Sequence, residues 1–364
     1  MDKELKHTKH IIIALLCTVI TMSVCSCTPP QNVSMPIESE SSESRLVWKY
    51  WSNQNVSSNP FYDKETIYYG TNYGEMFAVN SNNGYQRWTY KTDGYIFSSP
   101  LVYDDIVYFG SSDNYVYALN SVDGTLIWKY KTGNVVSSSP TIKDDTIYIG
   151  SYDNNLYALN RETGEVNWSF KADGGIKTKP IIDGRYIYFG TVRGNYYCLN
   201  IDDQTVKWQK KFKERFITEC AIGPNQIFVR PRGSKLYALN KENGETKWVF
   251  DFKENTQTEA TPVYQDNIVY IGSRSGSLYA INSETSDTIW SFKANDAIYP
   301  KPLIVNNNIY FGSDDKSFYC IDKKAGTEKW KYDASIRITT NACYGNNYVY
   351  FISQHGYLYC LHVN

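Results

Sequence analysis

This chain has few histidines, almost no net charge and no long apolar segment, and each of these features argues against a class of function. Its 364 residues carry 37 basic and 38 acidic side chains, for a formal net charge of −1. Proteins that bind nucleic acid normally show a basic excess or a basic stripe, so no nucleic-acid partner is predicted. The N-terminal apolar segment, residues 11–22, is shorter than the roughly 20 residues that a helix needs to cross a bilayer.

Residue patterns for metal binding and nucleophilic catalysis are equally scarce. Of the four histidines, only His355 and His362 lie beyond the N-terminal segment, and neither belongs to a ligand pattern with cysteine or carboxylate residues. Residues 272–276 resemble a G-x-S-x-G nucleophile turn only superficially, because they occupy a turn that recurs along the chain. The sequence predicts no metal site and no catalytic residue, although a Ser-His-Asp triad brought together by folding stays open.

Residues 1–26 have the layout of a bacterial lipoprotein signal peptide. Three lysines precede the apolar segment, which ends in Val-Cys-Ser-Cys at Cys27. The spacing of the aliphatic residue, the small residue and the cysteine predicts Cys27 as the site of lipid attachment; an ordinary signal cleaved near Ser26 and an uncleaved anchor are the alternatives. Residues 27–45 are rich in polar residues and predict a flexible linker. We expect an extracytoplasmic protein held by its lipid on the cytoplasmic or the outer membrane.

Tryptophan marks an internal repeat. Eight of the nine tryptophans follow one another at intervals of 40 residues, except for one interval of 42. Around each of them the same order recurs, with four short segments rich in Val, Ile and Tyr separated by turns of Asp, Asn, Ser and Gly. A period near 40 with four short strands per unit is typical of β-propeller blades. The repeated residues are Trp48, Trp88, Trp128, Trp168, Trp208, Trp248, Trp290 and Trp330.

The ends of the repeat region indicate the number of blades. Seven full periods separate Trp48 from Trp330, and the chain ends after the third strand of a further unit. Its fourth strand is predicted at residues 46–48, so that the two ends complete one blade and leave no open sheet edge. The middle strands are almost continuously apolar, as strands buried on both faces are. Residues 46–364 are therefore predicted to be a monomeric, all-β, eight-bladed β-propeller of four-stranded antiparallel blades.

The spacing of Ala118, Gly124 and Trp128 recurs in several units. It resembles the tryptophan-docking motif of the PQQ-like repeat family, which includes quinoprotein alcohol dehydrogenases and the BamB lipoproteins of the outer-membrane barrel-assembly machinery. The resemblance covers essentially the whole mature domain. It implies that each tryptophan ring lies against the glycine peptide and the small residue of an adjoining blade. The glycine is replaced by Gln204 in the fourth unit and by Ser286 in the sixth.

The resemblance implies two very different functions, an enzyme and a scaffold. The quinoprotein dehydrogenases carry adjacent cysteines, a Ca²⁺ site, a catalytic aspartate and often a haem motif, whereas this chain has neither a Cys-Cys pair nor C-x-x-C-H. We therefore expect no PQQ, no other cofactor and no enzymatic activity. The leading prediction is a non-enzymatic scaffold that binds an envelope protein or a ligand. A BamB-like part in outer-membrane protein assembly is the alternative, and a PQQ-dependent dehydrogenase is the least favoured function.

The first strand of each unit is predicted to line the central channel. Half of this lining is small and neutral, and the other half collects charges. Charged side chains in a wet channel either form solvated ion pairs or bind a small polar or anionic ligand. The residues of the ligand hypothesis are Lys177, Lys179, Glu219, Glu259 and Lys301.

The repeat region holds an odd number of cysteines, so at least one of them is unpaired. Cys198, Cys320 and Cys360 occupy the small position of the docking motif, and Cys220 replaces a proline that recurs in other units. These positions predict small buried side chains. Because thiols outside the cytoplasm tend to pair, Cys343 and Cys360 are the first pair to check for a disulfide.

Overall fold

The computed structural model describes residues 45–253 and 260–363. These residues belong to the second of two compact units, Ser34–Asn364. The predicted signal peptide at 1–26, the lipidation site Cys27 and the linker up to residue 44 lie outside the described residues, as does Glu259 of the ligand hypothesis. Within the described ranges, no helix is long and apolar enough to cross a membrane.

The regular structure of the described residues consists of strands in eight four-stranded antiparallel sheets. Blades 1 and 2 contain β2 (Phe61–Asp63), β3 (Thr66–Gly70), β4 (Glu75–Asn80), β5 (Gln86–Lys91), β6 (Leu101–Tyr103), β7 (Ile106–Gly110), β8 (Tyr115–Asn120) and β9 (Leu126–Lys131). Blades 3 and 4 contain β10 (Thr141–Lys143), β11 (Thr146–Gly150), β12 (Asn155–Asn160), β13 (Val166–Lys171), β14 (Ile181–Asp183), β15 (Tyr186–Gly190), β16 (Asn195–Asn200) and β17 (Val206–Lys211). Blades 5 and 6 contain β18 (Ala221–Ile222), β19 (Gln226–Val229), β20 (Lys235–Asn240), β21 (Thr246–Asp251), β22 (Val263–Gln265), β23 (Ile268–Gly272), β24 (Ser277–Asn282) and β25 (Thr288–Lys293). Blades 7 and 8 contain β26 (Leu303–Val305), β27 (Asn308–Gly312), β28 (Ser317–Asp322), β29 (Glu328–Asp333), β30 (Cys343–Gly345), β31 (Tyr348–Ile352), β32 (Tyr357–His362) and β1 (Leu46–Trp51).

Blade 8 joins the two ends of the repeat region. Its strand order is β1-β32-β31-β30, and β1 pairs antiparallel with β32 so that Trp48 lies opposite Cys360 and Tyr50 opposite Leu358. Every other blade is built from four consecutive strands. The predicted eight-bladed, all-β propeller closed by an N-terminal strand is therefore confirmed. Closure pairs the backbone groups of β32 that would otherwise form an open sheet edge.

The hydrophobic core lies between neighbouring blades rather than inside any one of them. One cluster, for example, joins Met76 and Trp88 of blade 1 to Phe109, Tyr117 and Leu119 of blade 2. The two middle strands of each blade contribute most of these residues, and they are buried along nearly their whole length. A strand packed on both faces needs an almost continuous apolar sequence, which explains why strict alternation is missing from the repeat.

Among the described residues, six of the docking tryptophans donate their indole N–H to a carbonyl oxygen in the turn between the third and fourth strands of the next blade. Trp88 donates its indole N–H to the carbonyl oxygen of Ser121 at 2.9 Å, and its ring lies against Gly124 of blade 2. The small residue is not where the resemblance placed it. Ala78 lies directly opposite Trp88 in the ladder of the same blade. The small position therefore makes room for the ring within its own sheet, and only the glycine belongs to the adjoining blade.

Two exceptions show how the docking adapts where the motif changes. Gln204 and Ser286 keep the left-handed backbone of the glycine they replace, with φ of 58° and 65°. Trp330 precedes the closing blade, whose outer strand comes from the other end of the repeat region. The guanidinium of Arg45, just before β1, lies 4.7 Å from the centre of the Trp330 ring. A cation–π contact thus covers the tryptophan at the point of closure.

Candidate functional site

The central channel is lined by the segments that lead from the outer strand of one blade to the inner strand of the next. An upper cavity of about 490 Å³ and a lower cavity of about 510 Å³ follow one another along it. Between them lies a ring of side chains that we call the channel belt, with one residue two positions before each innermost strand. The channel belt consists of Asn59, Ser99, Ser139, Lys179, Glu219, Thr261, Lys301 and Asn341.

On one side of the ring, the channel belt is a series of hydrogen bonds from blade to blade. The backbone N–H of Lys301 donates to Asn341 Oδ1, and the N–H of Asn341 donates to Asn59 Oδ1, both at 2.7 Å. The N–H of Asn59 then donates to Ser99 Oγ at 3.0 Å, and that of Ser99 to Ser139 Oγ at 2.9 Å. The neutral half of the channel lining therefore ties the blades together, which requires side chains that accept hydrogen bonds.

The series ends at Lys179, because an ammonium group can donate a hydrogen bond but cannot accept one. On this side an ion pair takes its place, in which Lys301 Nζ donates to Glu219 Oε1 at 2.6 Å. The side chain of Lys301 is 35% exposed and that of Glu219 is 18% exposed. The pair therefore borders the channel, and solvent there weakens it relative to a fully buried pair.

Burial disfavours each charge in this sector, and the interactions among the three groups decide the direction of each pKa shift. Burial raises the pKa of Glu219, but the ammonium groups of Lys301 and Lys179 outweigh it and hold that pKa below its ordinary value. Burial lowers the pKa of Lys301, but the charge of Glu219 outweighs it and raises that pKa. For Lys179, burial dominates and Lys301 adds to it, so that its pKa is lowered despite Glu219. Lys179 is thus the least compensated of the three charges.

Replacing Glu219 by Gln is expected to lower the free energy of unfolding at pH 7 by about 1 kcal/mol. A broken buried pair costs about 3–5 kcal/mol, and solvent in the channel reduces that figure here. Because the pKa of Glu219 is lowered in the folded state, its ionised form stabilises the fold above the ordinary value of 4.5. That contribution is lost as the pH falls through the folded-state pKa. Urea unfolding at pH 7 and at successively lower pH measures both effects.

Glu165→Gln is the matched control for this titration, because Glu165 is an exposed carboxylate just before β13. Its stability should follow the wild type at every pH. The gap between Glu219→Gln and the wild type should instead close at low pH. A gap that stays constant down to the lowest pH would show that the loss comes from packing and that the ionisation of Glu219 contributes nothing.

The upper cavity gathers cations that belong to two different parts of the repeat. Lys177 and Lys179 lie in the segment that enters blade 4, whereas Arg232 and Arg274 lie in turns between the second and third strands of blades 5 and 6. The sequence alone did not predict these two arginines as channel residues. The exchange of Gly-Ser for Arg230-Pro231-Arg232 in the fifth unit was visible in the sequence, but only the fold shows that this turn faces the channel mouth.

The mouth of the upper cavity also exposes apolar side chains from blades 1 to 3. Tyr95 is 55% exposed and its ring lies edge to face with that of Phe97, at 5.7 Å between centroids. Phe97, Val135 and Tyr152 border a further cavity of about 550 Å³ at this end of the channel. We call Tyr95, Phe97, Val135 and Tyr152 the aromatic rim. The repeat pattern alone does not reveal the aromatic rim, because its members come from inter-blade segments and a turn.

The structure brings together four of the five residues of the ligand hypothesis. Lys177, Lys179 and Glu219 line the upper cavity, and Lys301 binds Glu219 from the lower one. Glu259 lies outside the described residues. Among the residues that the structure describes, no group of three or more His, Cys, Asp or Glu side chains could hold a metal ion.

The cysteines of the repeat region are all free thiols. Cys343 and Cys360 lie on either side of Tyr350 in the ladder of blade 8, each opposite it on a neighbouring strand, and no disulfide joins them. Burial raises the pKa of Cys360 to about 12 and that of Cys198 to about 11. Such thiols stay protonated near neutral pH and are weak nucleophiles, which agrees with their prediction as small buried side chains.

Three solved structures share this fold at low sequence identity. BamB from Moraxella catarrhalis superposes with a TM-score of 0.72 and 16% identity over 88% of this chain and 97% of its own. The computationally designed Ika8 protein superposes with a TM-score of 0.76 and 13% identity, over 86% of this chain and 98% of its own. The quinohemoprotein alcohol dehydrogenase ADHIIG from Pseudomonas putida HK5 superposes with a TM-score of 0.72 and 12% identity, over 86% of this chain and 72% of its own. At these identities the three structures support the fold alone.

The family comparison is more specific than the structural one. The model of the family described as outer membrane protein assembly factor BamB matches residues 40–171, 132–191, 170–260 and 251–363. No curated protein matches the chain. The family match spans the whole propeller, including the closing blade. This chain therefore belongs to the BamB family of PQQ-like repeat β-propellers.

Proposed function

We propose that this chain is a lipid-anchored, non-enzymatic scaffold of the cell envelope, which binds protein partners of outer-membrane protein assembly through its aromatic rim. The observation that carries the proposal is the exposure of Tyr95, Phe97 and Tyr152 together at one mouth of the channel, at 55%, 37% and 36%. In this proposal the protein needs neither PQQ nor another cofactor.

The aromatic rim has the properties of a protein-binding surface. Tyrosine and phenylalanine are enriched where proteins bind one another, because a ring buries much apolar area at a small cost in side-chain entropy. The rings at this mouth adjoin a concave surface of about 550 Å³ that also includes Lys177. A clustered apolar surface next to a charge favours a partner segment with an apolar side chain and a nearby carboxylate.

The family supports the choice of partner. The family model is described as an outer membrane protein assembly factor, and it matches the chain from residue 40 to residue 363. One similar structure is itself named BamB. A rigid ring whose blades are held by stacked aromatic cores suits a scaffold, because its loops can vary with little effect on the core.

The proposed lipid on Cys27 accounts for membrane attachment without using any surface of the propeller. Acyl chains supply about 0.8 kcal/mol of membrane affinity for each buried methylene group. The residues between Cys27 and β1 would act as a tether. The aromatic rim then stays available for a protein partner.

The proposal predicts that the full-length chain, purified in mild detergent from a host with an outer membrane, brings down a barrel-assembly subunit. Replacing Tyr95 and Tyr152 by alanine should reduce the recovered subunit at least about tenfold, because loss of two interface aromatics costs more than about 1.4 kcal/mol. Identification and quantification of the co-purified subunits by mass spectrometry measure the effect.

Tyr85→Ala is the matched control, because Tyr85 is 51% exposed and lies just before β5, at the end of the blade opposite the aromatic rim. This variant should recover the subunit as the wild type does. Recovery of no assembly subunit by the wild type would contradict the proposed partner. An equal loss in Tyr85→Ala would contradict the aromatic rim as the docking surface.

A further inference from the structure

We propose that the upper cavity of the channel binds a small acidic sugar, a monosaccharide or disaccharide that carries a carboxylate or a phosphate group. This goes beyond the scaffold role proposed above and does not depend on it. The cavity measures about 490 Å³, within the range of about 300–1,000 Å³ for small-molecule pockets.

The anionic group is inferred from the wall formed by blades 4 to 6. Lys177, Lys179 and Arg274 line this wall. The carboxylate of Glu219 is bound by Lys301 at 2.6 Å, so that it compensates Lys301 more fully than Lys179. Within the described part of the chain, no hydrogen bond donated by the ammonium of Lys177 or Lys179 is found. Burial and Lys301 lower the pKa of Lys179, and an anion bound beside it would relieve that cost.

The sugar hydroxyl groups are inferred from the opposite wall. Ser57, Ser137 and Thr339 line the upper cavity on this side, together with the amide residues Asn59 and Asn341. Within the described ranges, the hydroxyl of Ser137 is buried without a hydrogen-bond partner. A buried polar group that lacks a partner costs free energy, and a ligand hydroxyl would satisfy it. Side chains that both donate and accept suit an alcohol, which does the same.

The ring face of the sugar is inferred from Phe97. This side chain lines the upper cavity and keeps 37% of its surface exposed. An aromatic ring beside hydroxyl groups offers an apolar surface to the C–H face of a sugar while neighbouring polar groups bind its hydroxyls. An inorganic anion would use the cationic wall only, and a neutral sugar would use the hydroxyl wall and Phe97 only. The combination of both walls favours an acidic sugar over either.

Calorimetric titration of the full-length chain in detergent tests this assignment with five probes: glucuronate, galacturonate, glucose 6-phosphate, glucose and inorganic phosphate. At least one acidic sugar should bind about tenfold or more tightly than both glucose and inorganic phosphate, because a charge-assisted hydrogen bond is about twice as strong as a neutral one. Lys177→Ala combined with Lys179→Ala should weaken that sugar at least about tenfold. Ser137→Ala and Phe97→Ala should weaken the acidic sugar but not inorganic phosphate.

The double variant Lys247→Ala with Lys331→Ala is the control for net charge, since both lysines are exposed on outer strands β21 and β29. It should bind the acidic sugar as the wild type does. Equal unfolding midpoints of the variants show that the channel is intact, and Lys179→Met replaces the alanine variant if its midpoint falls. The proposal is overturned if no probe binds, if phosphate binds as tightly as every acidic sugar, or if the channel lysines make no difference. Tyr95→Ala with Tyr152→Ala should leave sugar binding unchanged, which separates this site from the protein-docking role.

Discussion

A chain that begins at residue 52, and so lacks β1, is expected to lose at least about 5 kcal/mol of its free energy of unfolding, which is comparable to the whole stability of many domains. β1 supplies the outer strand of blade 8 and buries Trp48 and Tyr50, at 5% and 7% exposed. Truncating one buried aromatic side chain costs about 3–5 kcal/mol. The indole of Trp48 also donates to the carbonyl oxygen of Ser81 at 2.9 Å, which joins blade 8 to blade 1.

Loss of β1 should also change the state of association, because β32 becomes an open sheet edge that can pair with another chain. Urea unfolding and size-exclusion chromatography measure the two effects. A synthetic peptide of residues 45–52 should restore the monomer and part of the stability. The same peptide with Trp48→Ala and Tyr50→Ala should not. A truncated chain that stays monomeric with the unfolding midpoint of the full propeller would contradict the role of β1 in closure.

Gly124→Ala is expected to lower the free energy of unfolding by about 2–3 kcal/mol, through both backbone strain and a clash. Gly124 has a φ of +75°, and an added Cβ would lie 2.7 Å from carbon atoms of the Trp88 ring. The ring would have to move away from the turn and from the carbonyl oxygen of Ser121 that it binds. Gln204 and Ser286 show that the turn itself accepts a side chain, which limits the cost.

Gly184→Ala is the matched control for this prediction. Its φ is +59° and nothing lies within 4 Å of the added Cβ, so that only the backbone cost of about 1 kcal/mol should remain. Gln204→Gly is expected to be stabilising by about 0.5–1 kcal/mol, since it removes the side chain from a left-handed position. Equal losses for Gly124→Ala and Gly184→Ala would show that contact with the tryptophan contributes nothing. Thermal or urea unfolding of the three variants measures these differences.

Much of the fold was predictable, because each blade repeats the same local sequence pattern. The 40-residue spacing from Trp88 to Trp128 is a whole blade, and the turn residues between them specify its strands. The missing last strand could be predicted at residue 46 because an unpaired edge is unfavourable. The prediction that the small residue comes from the adjoining blade was wrong, because Ala78 lies opposite Trp88 in the same sheet. That pairing depends on a bulge next to Ala78, and the repeat does not reveal this register shift.

Less of the candidate site was predictable. Counting from each tryptophan placed Lys177, Lys179 and Glu219 in the channel wall, because equal positions in a closed repeat face the same axis. The same count could not show that Lys301 binds Glu219, since these residues belong to segments that enter different blades. Nor could it identify Arg274, which reaches the channel mouth from a turn between strands.

The sequence by itself determined the number of blades, the strands within each blade and the apolar surfaces between blades. These properties follow from short-range spacing that recurs in eight units, so that the assignment of strands in one unit supports the assignment in the others. Only the tertiary structure decided which polar side chains meet around the axis. Each blade contributes one residue to the channel belt, and the belt residues that form hydrogen bonds with one another lie 40 or more positions apart in the sequence. Asn59 accepts a hydrogen bond from Asn341 across the closure of the ring, a contact that exists only after the two ends of the chain have joined.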